Sequence, residues 1–153
     1  MAEEAVRIYR QLAEARPDAF LPALGASVNN LAAMLSALGR REEALAMAEE
    51  AVRIRRQLAQ ARPDAFLPDL SKSLAVRGLA LGEERGGEAM ASFAEAVRVL
   101  TPLCLRLPQA HLPLMRALVG AYLRAAEWAG AEPDPELLAP LLEALSGDAD
   151  AVT

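Results

Sequence analysis

The stretch MAEEAVRIYRQLAEARPDAFLP at residues 1–22 returns at residues 47–68 as MAEEAVRIRRQLAQARPDAFLP. Two positions differ: Tyr9 becomes Arg55, and Glu14 becomes Gln60. The copies begin 46 residues apart. Self-similarity at a period of that size marks a stack of supersecondary units, each too small to bury its apolar face alone. Such a stack points to a binding surface rather than to a reaction centre.

Composition gives the units their secondary structure. The chain has 153 residues, of which 54% are hydrophobic and only 4% aromatic. Alanine and leucine supply most of the apolar share, and these are strong helix formers; the β-branched and aromatic residues that strands prefer are scarce. An all-α fold follows. Lys72 is the one lysine among the basic residues, the rest being arginine, which points to a GC-rich bacterial genome. A net charge of −5 with no basic stripe excludes nucleic acid as a partner. With a single cysteine, Cys104, no internal disulfide can form, so the expected compartment is the cytoplasm. Residues 19–39 carry no charge and are long enough to span a bilayer. Their counterpart in the next copy holds Asp69, Lys72, Arg77, Glu83 and Glu84, so a buried helix and no membrane is the reading.

Within one unit, Glu42 to Ala61 shows helical periodicity, with Ala44, Ala48 and Ala51 on one face and Leu45, Val52 and Ala59 on another. Arg53, Arg55 and Arg56 follow Glu49 and Glu50 on what reads as the wetter surface. Arg62-Pro63-Asp64 ends this helix. A second helix is expected to start between Asp64 and Pro68, with Asp64 as N-cap, and to run to a turn at residues 82–87. Gly39 is the matching C-terminal glycine in the first copy. A worn third copy follows at a spacing of 45, where Pro108 to Pro113 answers Pro63 to Pro68; Pro102 is expected to kink or shorten its helix. Asp134-Pro135-Glu136 reads as the start of a last helix, which Pro140 should bend.

The expected organisation is a single domain over residues 1–153. A half repeat (1–16) leads into repeat one (17–61) and repeat two (62–106). A degenerate repeat with a capping helix (107–146) and a frayed tail (147–153) complete it. Met1 aligns with Met47, which sits inside a helix, and this suggests a C-terminal piece of a longer array.

Several of these residues fall on a known pattern, W-x2-L-G-x2-Y followed by A-x3-F. The first unit reads Val28, Leu31, Ala32, Leu35, Ala44 and Ala48, and the second Leu74, Arg77, Gly78, Leu81, Ala89 and Phe93. With Asn29-Asn30-Leu31-Ala32 and Gly39-Arg40-Arg41-Glu42-Glu43-Ala44-Leu45, the chain resembles the tetratricopeptide repeat family. Its period exceeds the usual 34, and the closing proline moves from the Arg56 position to Pro63, as in the long kinesin-light-chain style of repeat found in bacterial regulatory proteins. The resemblance implies an α-solenoid with a right-handed superhelix and about seven helices. It also implies a protein-interaction scaffold rather than an enzyme, with no cofactor and no metal.

The resemblance places the first helix of each unit on a concave face. The partner-binding candidates there are Asn29, Asn30, Ser36, Lys72, Arg77, Arg116 and Arg124, beside small residues such as Ala26, Ala33, Ala75 and Gly120. Two readings stay open: a polar track for an acidic peptide or chain end, and a shallow apolar trough for a partner helix. The functional expectation is a module that binds a peptide or helix as part of a larger regulatory protein. The alternative is self-assembly into a homo-oligomer through the exposed half repeat, whose stripe is Val6, Ile8 and Leu12. His111, which stands where Phe20 and Phe66 stand, and Cys104, which stands where Ala59 does, read as packing residues.

Overall fold

The computed structural model describes the backbone of residues 1–152 and the side chains of residues 1–144. Among the described residues there are seven α-helices and no strand: α1 (Ala2–Ala15), α2 (Pro17–Ala37), α3 (Arg41–Ala61), α4 (Pro63–Leu81), α5 (Gly86–Arg106), α6 (Pro108–Ala129) and α7 (Pro135–Val152). A short 3-10 turn, Glu83–Arg85, precedes α5. The side chains of the frayed tail expected over residues 147–153 lie outside the described residues.

From α1 to α6 each helix packs against its neighbour in the chain, α4 also touches both α2 and α6, and α7 packs on α5. The result is an all-α solenoid of helix-turn-helix hairpins. One layer holds the first helices α2, α4 and α6, and the other holds the second helices α1, α3 and α5. The duplicated stretches fold alike, since α1–Arg16–α2 and α3–Arg62–α4 are the same helix–residue–helix junction. Arg16, Arg62 and Leu107 take nearly the same backbone conformation, with φ of −142, −140 and −133°. Each precedes a proline, which drives it out of the helical region, and each proline then opens the next helix where its missing N–H costs nothing. The structure therefore corrects the expected start: Pro63 is the first residue of α4, Arg62 is its N-cap, and Asp64 makes no capping hydrogen bond.

The other ends follow from local chemistry. At the close of α2, Gly39 takes φ +79° while its N–H donates to the Ser36 carbonyl and that of Arg40 donates to the Leu35 carbonyl. This paired arrangement satisfies the last carbonyls of the helix, and a left-handed residue is what permits it. Gly130 ends α6 in the same way. Asp134 caps α7 as expected, its Oδ1 accepting from the Glu136 N–H at 2.9 Å. Pro102 does not end its helix, because α5 runs on through Leu103 and Cys104, both buried, to Arg106. Burial of those side chains outweighs the one backbone hydrogen bond that proline removes.

Small residues let the layers close. Ala44, Ala48, Ala51, Ala89 and Ala96 are fully buried. At Gly78, an added Cβ would lie 2.6 Å from Cζ of Phe93, so the α5 ring rests directly on the α4 backbone. The first unit's core gathers Val6, Leu24, Val28, Leu31, Leu35 and Ile54. Between the second and third units it gathers Val52, Leu74, Val97, Leu100, Leu103 and Leu118. Burying one leucine of this kind contributes about 1.5–3 kcal/mol. Helix α2 is long and apolar enough by composition to cross a membrane. Its Leu24, Val28, Leu31 and Leu35 are instead buried in the first unit's core.

Candidate interaction surface

The row of first helices presents the residues the sequence singles out, in two different states. Asn30, Lys72, Arg116 and Arg124 are exposed, and Ser36 is half-buried. Lys72, Arg116 and Arg124 make no ion pair among the described residues. Ala26, Ala33 and Ala117 share the same side of their helices, the last two exposed. Neutral small residues alternating with unpaired cations is a surface able to accept a carboxylate or an acidic segment.

Asn29 and Arg77 are held inside the stack instead. Asn29 Oδ1 accepts from Ser73 Oγ at 2.9 Å, and Ser73 Oγ accepts from Arg55 Nη1 at 2.9 Å. The same Nη1 donates to the Asp69 carbonyl at 3.1 Å. This chain of bonds ties α2, α3 and α4 together. Arg55 is only 8% exposed, which corrects its expected place on the wetter face. Burial pulls its guanidinium below the ordinary arginine value, and the nearby Asp69 carboxylate pulls it partly back. Arginine stays charged through such a shift, so the bonds it donates are charge-assisted.

Arg77 stands where Leu31 and Tyr122 stand in the other units. It neither snorkels free nor enters the groove. Its Nε donates to Ser92 Oγ at 3.0 Å and its Nη2 to Glu95 Oε2 at 3.2 Å, while Glu95 Oε1 pairs with Arg56 at 2.8 Å. Ser92 Oγ in turn donates to the Leu74 carbonyl at 2.7 Å. Arg10–Glu50 repeats Arg56–Glu95 one unit earlier. These ion pairs join successive second helices.

Sequence reasoning missed the Arg55–Ser73–Asn29 bridge, although a signal for it exists. Tyr9 to Arg55 is one of the two changes in the duplicated stretch, and it coincides with Ala23 becoming Asp69 just beyond it. It also missed a groove of about 360 Å³ between α6 and α7, lined by Met115, Val119, Gly120, Leu123, Leu138 and Leu141 among others. The visible hint is Leu123, which takes the place of Ala32 and Gly78 in the other units.

His111 is half-buried like Phe20 and Phe66, and Cys104 is buried with a thiol that desolvation pushes up. Among the described residues no group of three His, Cys, Asp or Glu side chains could hold a metal ion.

Residues 24–64 match the tetratricopeptide repeat family. The match runs from α2 through the Gly39 turn and α3 to the start of α4, which is one complete hairpin with the opening of the next. Tetratricopeptide repeats generally mediate protein–protein interactions and form a scaffold class without catalytic machinery. No curated protein and no solved structure matches the chain.

Proposed function

We propose that the chain is a protein-interaction module that grips an acidic peptide, chain end or partner helix along the row of α2, α4 and α6. It belongs, in this reading, to a larger bacterial regulatory protein of the cytoplasm, with the long, kinesin-light-chain-like repeat style that the 46-residue spacing suggests. The observation that carries it is the state of Lys72, Arg116 and Arg124. In a chain of net charge −5, these cations are exposed on one layer and paired with nothing among the described residues. Arg10, Arg56 and Arg77 are engaged by carboxylates, whereas Arg53 and Arg98 on the second helices and Arg16 and Arg62 at the junctions are open too, so the reading rests on Lys72, Arg116 and Arg124 sharing the first-helix layer.

The test is fluorescence anisotropy with acidic peptides carrying a free or an amidated C-terminus, over a salt series. Lys72→Ala/Arg124→Ala is expected to weaken binding about tenfold or more, since a hydrogen bond to a charged group contributes about 1.5–3 kcal/mol. The salt dependence should flatten with it. Unchanged affinity and an unchanged salt slope would remove the acidic-peptide reading.

A second reading, self-assembly, is favoured by one observation. Ile8 and Leu12 of α1 are 46% and 38% exposed, and no helix among the described residues covers that side. Exposed apolar stripes of this kind mark association surfaces.

A further inference from the structure

Where the stack covers one face of a first helix, the residues on that face are small. Gly25 and Ala32 of α2 are buried, as are Ser71 and Gly78 of α4. Ile54 and Arg55 of α3 occupy the space above Gly25, and Phe93 of α5 occupies the space above Gly78. On α6 the same two positions hold Arg116 and Leu123. Both are exposed, Leu123 by 40%. Helix α7 rests on α5 rather than closing along α6, and the apolar groove of about 360 Å³ lies in the gap. This face is built differently from those that receive another helix of the stack.

Its charges run head to tail. Arg116 lines the groove, and past Leu123 the depression continues beside Glu127 and Glu132. Among the described residues none of these three makes an ion pair, although Arg124 lies one turn before Glu127. Arg116 and Glu127 are eleven residues apart. That is close to three whole turns, so they project along one line of α6, about 16 Å from each other. Gly120 and Leu123 flank this line. A line with a cation at one end and an anion at the other is complementary to its own reverse. If a second α6 is turned end for end about the midpoint, between Ala121 and Tyr122, Arg116 of each copy comes level with Glu127 of the other. The same register brings Leu123 level with Gly120 of the other copy. Gly120 is exposed, and a Cβ there would meet nothing within 4 Å, so the open leucine faces a seat that holds no side chain. The charge pairing does not require that match, and the two coincide.

We infer that α6 pairs antiparallel with α6 of a second copy across a two-fold axis, with Leu123 of each copy entering the groove of the other and an Arg116–Glu127 pair closing each end. The contact uses the same patch on both copies, so it stops at a dimer. Gly120 lets the two helices approach toward the near end of the usual range of about 8–10 Å between axes. One helix face buries less than a standard stable interface, so the dimer is weak and concentration-dependent. This goes beyond the peptide reading and is separate from the α1 stripe. Arg124 lies roughly a quarter-turn round α6 from Arg116, so it and Lys72 remain available to a peptide.

Sedimentation velocity over a concentration series tests it on the whole chain. The average mass should rise from 16.3 kDa and level off at twice that value. Arg116→Glu and Glu127→Arg each set like charges against one another at both ends of the contact, and each should weaken the dimer about tenfold or more. The double variant Arg116→Glu/Glu127→Arg restores opposite charges in the same register and should regain the affinity of the parent chain. Leu123→Glu should abolish the dimer. Helicity by circular dichroism confirms that each variant folds. A parent chain that is monomeric throughout overturns the inference, and so does a double variant that dimerises no better than the single ones. Association that Ile8→Glu/Leu12→Glu abolishes, and that both single charge variants leave intact, belongs to the α1 stripe; it overturns the α6 contact while sparing the self-assembly reading.

Discussion

The two internal seams of this solenoid solve one packing problem with opposite chemistry. Where units one and two meet, Arg55 lies buried between α3 and α4 and runs its charge through Ser73 to Asn29. Where units two and three meet, the equivalent positions are Leu100, Leu118 and Ala75, and the centre of the seam is a dry cluster with Leu103, Cys104 and Met115. In the half unit the same position holds Tyr9, half-buried beside the first core. Tyrosine, arginine and leucine thus fill one structural site in turn, because each arrives with neighbours suited to it. Arg55 comes with Asp69 and Ser73, Leu100 with Leu114 and Leu118, and Tyr9 with Ala23 and Ser27. The lesson is that the hairpin scaffold fixes backbone spacing while the seam residues vary as sets.

Exchanging members between sets should break this arrangement, and most severely in one direction. Leu100→Arg puts a guanidinium into a cluster with no carboxylate at position 114 and no hydroxyl at position 118. It is expected to destabilise the chain by about 3–5 kcal/mol in urea unfolding, the usual cost of an uncompensated buried charge. The reverse exchange, Arg55→Leu, leaves Ser73 and Asn29 bonded to each other and strips only the Asp69 carbonyl and one bond to Ser73. It should cost less, about 1–3 kcal/mol. Adding Ser73→Leu and Asn29→Ala completes the apolar set and should recover that loss, because well-packed apolar replacements of a buried charge are often neutral or stabilising. A triple variant no more stable than Arg55→Leu alone would show that the sets are not interchangeable. The smallest effect belongs to what the seams share. Arg10→Ala and Arg56→Ala each remove an ion pair between second helices, and their shifts should be similar, under about 1 kcal/mol, and should shrink with added salt.

Much of the fold was legible in residues 1–68, because a near-verbatim repeat constrains both copies at once. The helix ends marked by Gly39 and by Asp134-Pro135 were readable from local backbone chemistry alone. The start of α4 was not, since Asp64 and Pro63 are competing signals and proline at the first helical position prevails. Arg55 was misplaced because its acceptors, the Asp69 carbonyl and Ser73 Oγ, lie on the next helix along the chain, and periodicity carries no information about them. Pro102 was overweighted for a related reason: the packing of Leu103 and Cys104 that holds the helix together past it is tertiary. Of the surface candidates, Lys72, Arg116 and Arg124 stand open as read, whereas Asn29 and Arg77 turn inward to partners that a helical face count does not reveal. The groove beside α6 depends on where α7 comes to rest, which no window of sequence encodes.

The Arg55–Ser73–Asn29 bridge also bears on how a self-similar chain finds its own order. Residues 1–22 and 47–68 could trade places with little change in helix propensity or apolar pattern, so mis-threading is the natural failure of such a molecule. In the traded arrangement Tyr9 would meet Ser73 and Asp69, while Arg55 would face Ala23 and Ser27. There Arg55 would keep a carbonyl and a serine hydroxyl but lose the Asp69 carboxylate that offsets its burial, and that loss distinguishes the two copies when almost nothing else does.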